Sequence, residues 1–162
     1  MGREHRALGA LTAALALLGI ASAALGADAP PPSSEQAPPA PPKATLTIEV
    51  TNLRNDKGLA RFAIYRSKQD FLKSAAASGS ARIKDGKATL VLENLEPGPV
   101  AVSSFHDENE NLKLDTNWIG IPKEGTSFSR DAKGFMGPPK FDNAKLELPA
   151  GPTVTTLKMS YY

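Results

Sequence analysis

Asp107, Asn109, Asn111, Lys113 and Asp115 occupy alternate positions of one short run, His106-Asp107-Glu108-Asn109-Glu110-Asn111-Leu112-Lys113-Leu114-Asp115-Thr116-Asn117. A tight loop around a hard cation needs that spacing, because alternate side chains then point inward. Numbered as positions 1, 3, 5 and 9 of a calcium loop, Asp107, Asn109, Asn111 and Asp115 offer side-chain oxygens, and Lys113 at position 7 offers its backbone carbonyl. Oxygen donors with no thiolate suit Ca²⁺ over zinc or copper, so calcium is the one cofactor the sequence suggests. Position 6 is Leu112 where an EF-hand has Gly, and position 12 is Trp118 where an EF-hand has a bidentate Glu. A seat here is therefore not an EF-hand and is completed from elsewhere, with Glu108 and Asp131 as candidates. The alternative is an Asx-rich turn whose side chains cap their own backbone.

Other chemistry finds less support. His106, beside Asp107, has the right type for a ligand, a base or a pH-sensitive hydrogen-bonding group; a structural histidine bonding the backbone of the loop is the plainer role. No G-x-S-x-G surrounds Ser103 or Ser104, so an activated serine is not expected. Carboxylates for glycoside cleavage (Asp107, Glu108, Glu110, Asp115) need a cleft and a controlled separation, which a loop at the end of a sandwich rarely supplies. No GxxxxGK or GxGxxG occurs. We assign no catalytic residue and expect a non-enzymatic protein, an envelope hydrolase using His106 with acidic partners being a remote alternative. Downstream, Trp118, Phe128, Phe135, Met136 and Phe141 lie among Gly and Pro. They either form an exposed platform, with His106, Trp118, Phe128 and Phe135 as its residues, or fold back to close the end of the domain. Aromatic burial favours the second arrangement.

The elements that must position this loop are strands. Leu46, Ile48 and Val50 alternate with polar residues, as do Ala60, Phe62 and Ile64, then Ala88, Leu90 and Leu92, and later Ala144, Leu146 and Leu148. Arg54 to Gly58 is turn chemistry, which predicts a hairpin between the first two strands. Lys68 to Ala77 reads as a helical turn or crossover, Ser80 to Lys84 as a short strand, and Asp85-Gly86 as a tight turn. Val100 to Phe105 is a further strand, and Leu157, Met159 and Tyr161 share one face of the last. The expectation is an all-β fold: an antiparallel immunoglobulin-like or transthyretin-like sandwich of about seven strands over residues 44–162. Residues 106–141 form one long ordered loop, a length usually reserved for function.

The first 43 residues differ in kind. Arg3 and Arg6 precede an apolar run, Ala7 to Ala24, and small residues follow, which predicts a signal peptide over 1–26. Half of the chain's 14 prolines fall between Asp28 and Lys43, so residues 27–43 read as a Pro-rich disordered linker. A periplasmic or secreted location follows, without stable membrane insertion after cleavage. The chain of 162 residues has a formal charge of +2 and no cysteine. That excludes disulfides and lipid-modified cysteine, and argues against nucleic acid as a partner. A monomer is expected.

Several motifs in order carry a resemblance. Leu53-Arg54-Asn55-Asp56-Lys57-Gly58, Ile64-Tyr65, Leu95-Glu96-Pro97-Gly98, Ala101, Phe105-His106-Asp107-Glu108-Asn109 and Lys113-Leu114-Asp115 form its first part. Gly120-Ile121-Pro122-Lys123-Glu124-Gly125, Phe128-Ser129 and Gly137-Pro138-Pro139 followed by Phe141 complete it. Over about residues 45–150 the chain resembles the bacterial DUF2141 family of small exported β domains. Leu112 stands where that family often has Gly, and Val100 where it often has Tyr. The resemblance implies a transthyretin-like or immunoglobulin-like sandwich and an exported location, and no activity. The functional expectation is a binding module for an envelope or extracellular partner, its acidic loop ordered by calcium or by Asx turns. The alternative is a periplasmic carrier of a small ligand.

Overall fold

A computed structural model describes residues 42–162. The expected signal peptide and all but the last two residues of the expected linker lie outside the described residues. Eight strands follow one another: β1 (Ala44–Thr51), β2 (Leu59–Tyr65), β3 (Ala77–Arg82), β4 (Ala88–Leu95), β5 (Gly98–Asp107), β6 (Thr126–Phe128), β7 (Leu146–Leu148) and β8 (Gly151–Lys158). A 3-10 turn, Ser129–Asp131, and a single helical turn, α1 (Phe141–Ala144), lie between β6 and β7.

The strands form two sheets. One has the order β4-β1-β8; the other has the order β3-β2-β5-β6, with β7 pairing the start of β5. Two expectations change here. β1 and β2 do not form a hairpin, because β1 pairs β4 and β8 while β2 pairs β3 and β5. The Arg54–Gly58 turn instead carries the chain from one sheet to the other. Nor is the fold wholly antiparallel: β8 runs parallel to β1, from Ala44 opposite Gly151 to Thr51 opposite Lys158. Alternation fixes which face of a strand is buried but says nothing about its neighbour.

The inward faces meet in one core. Leu46, Ile48 and Val50 of β1, Phe62 and Ile64 of β2, Val100 and Val102 of β5, and Leu157 beyond them are buried together. A second, smaller core covers the opposite face of β2 and β5. There Tyr65 and Ala101 pack with Phe71, Phe141 and Ala144, while Ala63 and Phe128 are partly buried against them. Phe71 meets the Tyr65 and Phe141 rings edge-on, at centroid separations of 5.2 and 5.8 Å, the arrangement ring quadrupoles favour. The small side chains of Ala63 and Ala101 let this layer sit close to the sheet. Ser129 fastens it: its Oγ accepts the Val102 N–H (2.9 Å) and donates to the Ala144 carbonyl (2.5 Å).

This topology gives the domain two distinct ends. At one, the chain enters at Ala44, opposite Leu95 and Gly151, and Gly98 lies opposite Leu148. At the other, Val50 lies opposite Ala88 and Leu59 opposite Asp107. The acidic run therefore leaves β5 at the end remote from Lys43 and Ala44.

Candidate functional site

β5 extends further than its alternation suggested, through Asp107, so His106 and Asp107 are strand residues and both are fully buried. Gly58 makes this possible. It has φ +68°, and a Cβ there would lie 2.0 Å from the Asp107 carbonyl oxygen, so only glycine lets the turn close on the strand. His106 Nε2–H donates to the Lys57 carbonyl (2.8 Å), and Nδ1 accepts the Tyr161 hydroxyl proton (2.7 Å). The Tyr161 oxygen in turn accepts the Arg54 N–H (3.0 Å). This tautomer satisfies every polar group in the chain of bonds. His106 thus ties the loop end to Tyr161, beyond β8; with its ring wholly buried, it is not part of an exposed binding surface. Burial raises the Tyr161 pKa above its ordinary value. At Glu108, burial works to raise the pKa, but Asn55 and Arg54 on the carboxylate hold it below the ordinary value.

Beyond Asp107 the backbone is folded by its own side chains. Asp107 Oδ1 and Oδ2 accept the N–H groups of Asn111 and Leu112, each at 3.0 Å. Asn109 Oδ1 accepts the Asn111 N–H (3.1 Å), and Asn111 Oδ1 accepts the Lys113 N–H (2.8 Å). The Asn109 amide donates to Asp115 Oδ2 at 2.8 Å, and the Asn111 amide to both Asp115 oxygens at 3.1 and 3.2 Å. Asp107, Asn109, Asn111 and Asp115 are therefore linked as one cluster. Lys113 joins it by its backbone N–H, while its side chain stays in solvent. Leu112 has φ +69°, the left-handed geometry that position 6 of a calcium loop needs and that Gly adopts without strain.

Of the two residues expected to complete the cluster, neither does so. Glu108 turns to Arg54 and Asn55, and Asp131 belongs to the 3-10 turn after β6. The completing residue is Glu124, which is buried and bridges the loop: Oε1 accepts the Glu108 N–H and Oε2 the Asp115 N–H, each at 3.0 Å. Its distance in sequence hid it; its only trace was its place in the family-like run Gly120 to Gly125. Among the described residues no three His, Cys, Asp or Glu side chains converge closely enough to hold a metal by themselves. A cation here would also need amide and carbonyl oxygens, which calcium accepts readily. The donor set is all oxygen, as calcium requires.

From Asp115 to Lys123 the loop forms a small hairpin. Lys123 N–H donates to the Asp115 carbonyl (2.8 Å), and Asn117 N–H to the Ile121 carbonyl (2.8 Å). Trp118 stands at its tip with 94% of its surface exposed, so it neither folds back nor supplies a twelfth-position ligand. Phe135 and Met136, in the next connection, are equally exposed, at 92% and 94%. Phe128 behaves otherwise: it lies on β6 against the second core, 6.4 Å from Phe71 between ring centroids, and is not a platform residue. The platform expected from His106, Trp118, Phe128 and Phe135 thus keeps only Trp118 and Phe135.

A family model described as an uncharacterized protein conserved in bacteria (DUF2141) matches residues 48–156. The chain belongs to this family. No curated protein matches it. Two solved structures of a pilus-presented adhesin, Spy0125 (Cpa), are similar to it: a cysteine-to-alanine mutant, 16% identical with a TM-score of 0.28, and a P212121 crystal form, 17% identical with a TM-score of 0.25. Each match covers 75% of this chain and 28% of the adhesin chain. The chain therefore spans under a third of the structures it matches, and at these TM-scores the likeness bears no functional argument. In this DUF2141 chain, many of the residues that carry the family resemblance gather at the loop end: Arg54, Asn55, Lys57, His106, Asp107, Asp115 and Glu124 are joined by the bonds just described, and Gly58 closes on Asp107.

Proposed function

We propose that this DUF2141 chain is an exported, non-catalytic binding module with an immunoglobulin-like sandwich architecture. It works by holding the loop 108–123 outward, with calcium seated among Asp107, Asn109, Asn111, the Lys113 carbonyl, Asp115 and Glu124. One observation carries the reading. The loop is locked at the end of the domain remote from where the chain enters, and its tip presents Trp118 to solvent. A domain held by its N-terminal segment would then offer this tip to a partner. Calcium fits because the Asp107 and Glu124 carboxylate oxygens and Asp115 Oδ1 each accept a single N–H and keep a lone pair for a cation, because the Asn109 and Asn111 amides need only turn from Asp115 to release its second oxygen, and because Leu112 already has the sharp-turn geometry. No catalytic role is assigned to the loop, because its carboxylates are engaged with backbone and amide N–H groups or with arginine.

The test has two arms. Thermal melting in millimolar calcium should exceed melting in chelator by roughly 5 °C, the linkage effect of a millimolar-to-submillimolar site, and the Asp115→Ala variant should lose the difference. Binding to an envelope fraction should fall with Trp118→Ala at unchanged melting temperature. Identical midpoints would remove calcium; unchanged envelope binding would remove the tip as the contact surface.

A further inference from the structure

The tip of the loop has a composition and a wiring that single out one kind of partner. Leu112, Leu114, Trp118, Ile119 and Ile121 are all exposed within ten residues. Such a concentration of apolar surface is unusual for a side of a domain that faces only water. The charges around it are unequally exposed. Lys113 and Lys123 extend into solvent, while Asp115 is half-buried with its carboxylate bound by the Asn109 and Asn111 amides, and Glu124 is buried with both oxygens bound by backbone N–H groups. The carboxylates that flank the tip on the β5 side face arginines: Glu108 faces Arg54 and Glu110 faces Arg82. These carboxylates keep their negative charge but are turned inward or paired with arginine, so the charged groups that reach solvent beside the apolar tip are the ammonium groups of Lys113 and Lys123.

Most of the backbone N–H groups of the tip are already bonded within it. Asn117 Oδ1 accepts the N–H groups of Ile119 and Ile121 (3.0 and 2.9 Å). Gly120 N–H donates to the Asn117 carbonyl, Asn117 N–H to Ile121 and Lys123 N–H to Asp115, and Pro122 has no N–H to satisfy. Backbone groups satisfied internally can leave water at little cost, which hydrocarbon surroundings demand. A glycan platform would need neighbouring polar side chains reaching outward, and Asn117 spends its side-chain oxygen on the hairpin itself.

We propose that this hairpin tip adsorbs, peripherally and reversibly, to an anionic lipid bilayer. Trp118 and the aliphatic side chains enter the headgroup–acyl boundary, and Lys113 and Lys123 meet the lipid phosphates. Tryptophan prefers this interface, and lysine can lay its stem along apolar surface while its ammonium stays at the headgroups. The inference rests on the reading of the tip as the contact surface, and it names the partner. It does not require calcium.

Trp118 is the only tryptophan in the chain, so its emission reports contact directly. With the full domain in chelator, vesicles of phosphatidylcholine containing phosphatidylglycerol should shift its emission to the blue and co-sediment the protein; pure phosphatidylcholine vesicles should do so far less. Trp118→Ala should weaken sedimentation by about tenfold or more, the loss for one aromatic side chain's transfer. Lys113→Gln and Lys123→Gln should each weaken it by about fivefold. All three residues are exposed, so unchanged melting temperatures should accompany these losses. Absence of sedimentation and of a spectral shift with anionic vesicles overturns the proposal, as does a blue shift that grows with protein concentration alone, which would mean a second copy covers the tip. Retained Trp118-dependent binding to an envelope fraction, with no binding to pure lipid, would overturn the lipid inference and leave the contact-surface reading standing, with a protein as partner.

Discussion

The two ends of the domain are built on different principles. Where the chain enters, β4 passes to β5 through Glu96-Pro97, and β7 to β8 through Pro149-Ala150. The polar contacts there are exposed: Lys43 pairs with Glu96, Arg66 reaches the Glu96 and Pro97 carbonyls, and in the connection after β2 Ser67 bonds Asp70 and Lys68 pairs with Asp142. At the loop end, long connections are held by buried or half-buried polar groups: His106, Asp107, Glu108, Glu124 and Tyr161. The two short turns need little beyond proline and glycine to close, and the longer connection between β2 and β3 is held mainly by apolar packing of Phe71. A connection that runs from Asp107 to Thr126 must fasten its own backbone, and here side chains perform that task. The contrast shows where the polar content of the fold is concentrated, and that place is also where its exposed apolar tip projects.

The sharpest way to break this contrast is at Gly58. Gly58→Ala would force a Cβ against the Asp107 carbonyl at a positive φ, and should cost about 3 kcal/mol or more in urea unfolding. His106→Ala comes next. It leaves a cavity and strands the Lys57 carbonyl and the Tyr161 hydroxyl, for a loss of about 2–4 kcal/mol, whereas Tyr161→Phe, which keeps the ring, should lose only about 1 kcal/mol. Relief of strain should be smaller and opposite in sign. Leu112→Gly removes an exposed side chain from a left-handed position and should stabilise by about 0.5–1 kcal/mol, the usual cost of a side chain there less the entropy that glycine adds to the unfolded chain. At the other end, Glu96→Ala removes an exposed ion pair and should change stability by less than about 0.5 kcal/mol. A large loss at Glu96, or none at His106, would break the distinction between the ends.

The pH dependence sharpens the same contrast. Asp56 accepts the Gly86 and Asp85 N–H groups at 2.9 Å, and these bonds hold its pKa below the ordinary value of 3.8. A carboxylate with a lowered folded-state pKa contributes stability that is present above its unfolded value and is lost as pH falls through the folded value. Acid unfolding curves below pH 3.8 should therefore be shallower for Asp56→Asn than for the unsubstituted protein.

Much of the fold was legible from alternation. β1, β2, β4 and β5 lie where apolar residues mark one face, and the inward row Leu157, Met159 and Tyr161, which begins in β8 and continues past it, does meet the core; the rest of β8 places Gly151, Thr153 and Thr155 inward and shows no apolar alternation. Pairing was not legible. An arch from Thr51 to Leu59 and a hairpin use the same turn residues, so the exchange of sheets at Arg54–Gly58 and the parallel β1–β8 pair leave no mark in composition. β6 has three residues, too few to show a period. Within the candidate site, local spacing pointed to the run in which Asp107, Asn109, Asn111 and Asp115 hydrogen-bond to one another, because a loop of alternate Asx residues folds on itself. The partners that arrive from afar were not readable. Glu124 comes from beyond the hairpin and Tyr161 from the end of the chain, and each is placed by strand pairing rather than by neighbours in sequence. The exposure of Trp118 was hidden for a related reason: aromatic residues in a loop normally bury themselves, and only the closed hairpin from Asp115 to Lys123 keeps this one in solvent.

Calorimetric titration of calcium into chelator-treated protein tests the loop most directly. One saturable site, lost in Asp107→Ala and in Glu124→Gln, is the result predicted for an oxygen seat formed by β5 and the hairpin. Heats no different from dilution, with the same melting temperature in calcium and in chelator, would contradict it and leave an Asx network that needs no ion.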